Sequence, residues 1–252
     1  MANQGKSVVR NYIYNASYQL LNIIAPLITA PYISRVLGAE NIWIYSYTAS
    51  IATYFTTLAI LGSEAYARRE IAFRKNNKEE YSKIFWEVWL FRFCTTCVSL
   101  CIYIVLSLHL KNSEILLIQA LNIIVVAVDI SWLFQGLEEF GTTVLRSYIF
   151  RVLNIAGIFL FVRKSTDLYI YVFLLGILAV ASQISLWIPA RKLIVRQKLD
   201  LKKSISHGEG IIKLFIPTIA VAIYGALDKT MIGIIAPDMS QNGYYEQAEK
   251  II

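Results

Sequence analysis

The sequence predicts an all-α polytopic membrane protein, and three observations carry that prediction. Hydrophobic residues make up 57% of the 252-residue chain and charged residues only 16%. A water-facing domain of this length needs far more charge to cover its surface. The apolar residues fall into runs of about 20, the helix length that crosses a ~30 Å hydrocarbon core. Lys and Arg cluster in alternate connections between those runs, the asymmetry that marks cytoplasmic loops. The net charge of +7 therefore does not indicate a nucleic-acid binder, whose bases would form one face of a soluble module.

Span 1 is drawn over Asn11–Ser34. Lys6 and Arg10 precede it, but the apolar run is too long for a signal peptide and lacks a small-residue cleavage pattern. Asn15, Tyr18, Gln19, Asn22 and Pro26 recur at helical spacing, so they share one face. Pro26 lacks a backbone donor and is a candidate hinge. Span 2 covers Ile42–Gly62, with Trp43 at its outer end. Span 3 covers Ile84–Leu108 and sets Arg92, Thr95, Thr96, Ser99 and Tyr103 on one side. Cys94, Cys97 and Cys101 share another face there. No nearby His or second cysteine pair completes a zinc site, so they read as small packing residues; no metal or cofactor is expected.

Span 4, Ile115–Gln135, places Asn122 and Asp129 seven residues apart on one face. Span 5, Ser147–Val162, carries Ser147, Arg151 and Asn154 at helical spacing. Span 6 is Leu168–Pro189, with Tyr169 and Trp187 at opposite ends. Span 7, Ile212–Ile235, aligns Pro217, Tyr224 and Asp228 and adds Lys229. Pro217 is a second candidate hinge. An eighth span begins at "NGYYEQAEKII" and stops after about two turns.

With the N-terminus inside, the inner segments hold 16 Lys and Arg and the outer loops only Arg35, Lys111, Arg163 and Lys164. That bias sets the expected orientation. The inner connection "GLEEFGTTVLR" is its weakest part, with one base and two acids, but acids count little. "VLGAENIWIYSYTASI" and "GIIAPDMSQNGYYEQAEKI" both pass from a small turn through an acid to an aromatic pair. They suggest a parallel repeat with a six-span period. On that reading residues 1–200 form a six-helix bundle, 201–252 open a second one, and the chain is cut within helix 8.

Ionised groups near mid-bilayer cost roughly 2.5–3.5 kcal/mol each, so they face a bundle interior or a wet cavity. Asp129, Arg151, Asp228 and Lys229 are candidates for a cavity. Asn15, Gln19, Asn22 and Asn122 fit equally as hydrogen-bonding glue between helices. Asp228 and Lys229 point about 100° apart and do not readily pair.

The stretch "WLFQGLEEFGTTVLRSYIFRVLNIAGIFLFVRKSTDLYIYVFL" resembles the Wzx-type polysaccharide flippases of the multidrug/oligosaccharidyl-lipid/polysaccharide exporter superfamily. "ISRVLGAENIWIYSYTASI" and "LDKTMIGIIAPDMSQNGYYEQAEKI" look like that family's helix-one/two and helix-seven/eight segments. The resemblance implies a MATE-like transporter of two six-helix bundles facing a cleft. This chain would supply the first bundle, helix 7 and the start of helix 8. It implies a cargo of undecaprenyl-pyrophosphate-linked oligosaccharide, moved outward across the bacterial cytoplasmic membrane for capsule, O-antigen or exopolysaccharide synthesis. A polysaccharide polymerase would be a partner. Lys229 matches the family's basic position in helix 7, and Arg92 and Arg151 stand where cavity bases are expected. Asn15, Gln19, Asn22, Asn122 and Tyr224 could hydrogen-bond sugars; Asp228 or Asp129 could carry a coupling ion.

Two rivals are a cation-coupled drug exporter of the same superfamily and a membrane-embedded glycan-processing enzyme. The first favours an acidic cavity, whereas the candidate cavity ions here include three cations. The second needs an acid/base or metal constellation in a loop, and the two largest loops are basic without one. His207, alone in "SHGEG", reads as part of a solvated turn.

Overall fold

The computed structural model describes residues 2–215, 219, 227 and 230–232, with side chains at 20, 24–139, 141, 144, 146–215 and those later positions. The described residues are mostly helical, joined by turns and short connections, and contain no strands. Among the described residues, three stretches are long and apolar enough to cross a membrane: Lys78–Ser107, Ser113–Gly136 and Ser165–Leu193. The chain is a multi-pass, all-α membrane protein.

The first helix, α1, runs over Ala2–Ile60 and breaks once, at Gly38. With φ 77° and ψ 167°, Gly38 occupies a region closed to residues with a Cβ. Spans 1 and 2 therefore meet at one glycine rather than through a loop. Pro26 and Pro31 lie inside the helical part, so the observed break falls at neither.

Contacts fix the directions of the helices. Gly62, at φ 78°, turns the chain into α2 (Ser63–Phe73) in the connection between spans 2 and 3. The next helix, α3 (Lys78–Ser107), starts where Asn77 accepts hydrogen bonds from the Glu79 and Glu80 amides. That cap adds a polar first turn, so α3 begins six residues before span 3 was drawn. Thr95 and Ser99 donate to the carbonyls of Ala59 and Phe55 at 2.7 Å each, so residues 39–60 run antiparallel to α3.

The fourth helix, α4 (Ser113–Val128), follows Asn112, whose φ is 61°. It runs antiparallel to α3, with Tyr103 donating to Leu116 and Trp89 to Ala127. Span 4 is not continuous. Asp129 leaves the helix at φ −71°, ψ 119° and its Oδ1 accepts from the Ser131 amide at 2.9 Å, opening α5 (Ser131–Gly136).

The sixth helix, α6 (Phe140–Phe161), begins seven residues before the span drawn from Ser147. It runs antiparallel to α7 (Leu168–Ser185). Gly157 meets Leu174 and Arg146 reaches Ser182. A 3-10 turn at Ser165–Asp167 precedes α7. Then come α8 (Trp187–Leu193) and α9 (Leu201–Ser206). Residues 208–215 are again helical.

Three apolar clusters hold the bundle. One joins Ile33, Leu37 and Ile42, around the Gly38 break, to Ile158, Val162 and Leu168. A second packs Ile51, Ala52 and Ala59 against Tyr103, Leu116 and Ile123. The third, at the opposite end, gathers Phe85, Trp132, Leu133, Phe134 and Leu186, with Trp86, Trp89 and Trp187 packed on it. On α3, Phe93, Val98, Ile102 and Val105 are exposed and form a face for lipid. Cys94, Cys97 and Cys101 are exposed too, and free. Among the described residues no helix covers this side of α3, so the three are not buried as the small packing residues the sequence suggested.

Candidate functional site

Two groups of charges within the described bundle include the cavity candidates. Arg92 projects from α3 toward the break after α4. Its Nη2 donates to Asp129 Oδ2 at 2.9 Å. Arg92 is 1% exposed and Asp129 8%. These two residues, expected to play separate parts at a cleft, are bound to each other inside the bundle. Asp129 is available because it terminates α4, turning one carboxylate oxygen to the Ser131 amide and the other to Arg92. Glu64, in the first turn of α2, lies in the field of this pair. Burial raises its pKa, the Asp129 charge raises it further, and Arg92 and Arg68 oppose them.

The second group lines a cavity of about 310 Å³ between α6 and α7. Arg146, Ser147, Arg151 and Asn154 come from α6; Ser182 and Gln183 come from α7, with apolar walls at Phe150, Leu175 and Leu178. The polar residues share one α6 face because they follow the helical repeat. Arg146 donates to Ser182 Oγ at 3.0 Å and Gln183 Oε1 at 3.4 Å. Two guanidiniums beside a concavity in an otherwise apolar bundle can receive an anion, and their planar forks suit phosphate oxygens. Arg151 and Asn154 were legible on the α6 stripe. Arg146, read as a loop base, became visible as a cavity residue only once α6 was seen to start at Phe140.

The remaining candidates separate. Asn122 donates to Gln119 Oε1, and Gln119 in turn approaches Thr48 Oγ1 at 3.5 Å. Asn122 thus joins a polar link between α4 and α1. Asn15, Gln19 and Asn22 lie in helical backbone of α1, with side chains outside the described residues. Pro217, Tyr224, Asp228 and Lys229 also lie outside them. Next to Lys229, Thr230 Oγ1 is 3.0 Å from Ser50 Oγ and 2.9 Å from the Tyr54 hydroxyl. Thr230 therefore lies against the second half of α1. The serine and tyrosine of span 2 gave no sequence signal beyond their polarity.

His207 corrects the sequence reading outright. It is not in a solvated turn: its Nε2 is 2.8 Å from Glu87 Oε2 and its Nδ1 2.8 Å from the Tyr66 hydroxyl. Glu87 is 6% exposed. The missed signal was Glu87 itself, an acid within the aromatic run "IFWEVWLF" that needs a partner when buried. Among the described residues no group of His, Cys, Asp and Glu is arranged to hold a metal.

Fold and site together define a multi-pass helical membrane protein with an open, cationic and polar cavity between α6 and α7. The family model described as "Polysaccharide biosynthesis protein" matches residues 8–252, and the chain belongs to that family. It is 27% identical over 258 residues to the "Putative O-antigen transporter" of Escherichia coli (strain K12), covering 94% of this chain and 59% of that protein. A protein of the same name from Shigella dysenteriae is 24% identical over 153 residues, covering 58% of this chain and 38% of the relative. The chain thus spans about three fifths or less of the curated relatives it matches. No solved structure matches.

Proposed function

We propose that this chain is part of a flippase that moves undecaprenyl-pyrophosphate-linked oligosaccharide repeat units across the bacterial cytoplasmic membrane. Its amino terminus would lie in the cytoplasm, and the glycan would serve O-antigen, capsule or exopolysaccharide assembly alongside a polymerase. The observation that carries the reading is the cavity between α6 and α7, where Arg146 and Arg151 stand among Ser147, Asn154, Ser182 and Gln183. Pyrophosphate and sugar cannot cross hydrocarbon unaided. A low-dielectric cavity strengthens the attraction of a cation for phosphate, and the neutral polar groups can replace sugar hydration.

Membership of a polysaccharide biosynthesis family and the transporter names of two relatives support the same reading. In it, Arg151 and Lys229 bind the anionic end of the cargo. Asp228 is the coupling acid, while Asp129 is held by Arg92. The division into a first bundle and the opening of a second belongs to this proposal.

The test is export of surface glycan in cells lacking their own O-antigen transporter and carrying the complete reading frame that includes these residues. Lys229→Ala should abolish export at near-normal membrane abundance, and Lys229→Arg should keep part of it. Normal export by Lys229→Ala, or loss of the protein from the membrane, would remove Lys229 from the cargo site.

A further inference from the structure

The connection after α8 leads toward span 7 and would be expected to belong to whatever follows it. Its contacts point the other way. At its start, α3 satisfies the connector's backbone. Tyr81 donates to the Leu193 carbonyl at 2.6 Å, Trp86 Nε1 to the Val195 carbonyl at 3.0 Å, and the Val195 amide donates to Ser82 Oγ at 2.9 Å. Ser82 is fully buried.

Further along, the chain is held again. Ser204 is 1% and Ile211 0% exposed, although the loop is otherwise basic. A Cβ on Gly62 would lie 2.9 Å from the Phe215 amide nitrogen and 3.0 Å from the Ile211 carbonyl oxygen. A Cβ on Gly210 would lie 2.5 Å from the Tyr66 ring. Backbone thus approaches backbone at the α1–α2 turn, which only glycine permits. Between these anchors lies the Glu87–His207–Tyr66 chain, with both links at 2.8 Å. It draws on three separate elements and leaves neither imidazole nitrogen without a partner.

We propose that residues 192–215 move as a fixed part of the first bundle, and that His207 is the positioning residue that locks them there. The mechanical boundary between this bundle and the rest of the transporter then lies beyond Phe215, not near residue 200. This rests on the flippase reading only for its consequence: a wall that moves during transport must pivot after the joint. Glu87 accepts from or pairs with Nε2, Tyr66 meets Nδ1, and no part of the joint touches cargo.

The experiment uses the complete reading frame with every cysteine, Cys94, Cys97 and Cys101 among them, replaced by alanine and a single Ser204→Cys reporter. A small membrane-permeant maleimide is applied with cargo supply on and off. With His207 intact, position 204 should stay protected in both states. His207→Ala should speed labelling roughly tenfold, as expected for losing a hydrogen bond to a charged group, and lower export at unchanged abundance. His207→Gln can still donate to Glu87 and accept from Tyr66, and should restore most of the protection. Tyr66→Phe, which deletes one hydroxyl, should fall between. Labelling of the intact joint only while cargo is supplied would overturn the proposal, because the connector would then lift with the second half. Continued protection in both His207→Ala and Tyr66→Phe would overturn it too, since the joint would hold nothing. If labelling follows the expected pattern but no version exports glycan, the joint stands and the flippase reading falls.

Discussion

Arg92 and Arg151 are the same residue type inside apolar helices, yet the structure treats them differently. Arg92 is 1% exposed and bound to Asp129 at 2.9 Å. Arg151 borders a cavity of about 310 Å³ together with Arg146. Arg92 keeps Nε and Nη1 without a hydrogen-bond partner among the described residues, but they are sealed where a ligand does not reach, while Arg151 stands on the wall of an open cavity. The difference shows that a charge's presence in a membrane helix does not define a site. Its surroundings do.

The sharpest way to break this contrast is Arg92→Ala. Removing one partner leaves Asp129 buried and uncompensated, at a cost of about 3–5 kcal/mol. The protein should largely disappear from the membrane in a quantitative immunoblot, and Arg92→Ala/Asp129→Ala should recover part of it. Normal abundance with lost export would make the pair a working site and erase the distinction.

Arg151→Ala should do the reverse. Abundance should hold, while surface glycan falls roughly tenfold or more, the scale of one hydrogen bond to a charged group. Arg151→Lys should retain part of the export. If abundance collapses instead, Arg151 is packing like Arg92.

A smaller effect tests the α6–α7 packing beside the cavity. A Cβ on Gly157 would lie 2.8 Å from Leu174, so Gly157→Val must push α6 from α7. The expected cost is about 1–3 kcal/mol, read as a lower melting temperature of the detergent-purified protein. An unchanged melting temperature would mean that the two helices are not closely packed there.

The smallest effect concerns Glu64. Burial and the Asp129 charge raise its pKa above the ordinary value of 4.5. The folded state therefore holds this proton more tightly than the unfolded state. Stability should fall as pH rises above 4.5 and level off past the folded-state value. Glu64→Gln should raise the melting temperature at neutral pH and flatten that slope. A pH profile identical to the parent's would mean that neither burial nor the Asp129 charge raises the Glu64 pKa.

Much was settled by the sequence alone. Hydropathy set the order and approximate place of the first six spans, which fall on α1, α3, α4, α6 and α7, because burial in lipid is a local property summed over about 20 residues. Stripes marked Arg92 and Arg151 as inward-facing, because helical spacing is also local. The ends of helices were less legible: Asn77 capping α3, Asp129 breaking α4 and Gly38 breaking α1 act through backbone geometry that hydropathy does not register. What only the tertiary structure decided was partnership. Arg92 meets Asp129 37 residues on, and His207 meets Glu87 across 120. Such pairs depend on the rotation of each helix about its axis and the register between neighbours. Packing at distant residues such as Gly157 and Gly176 sets both, and no window along the chain contains that information.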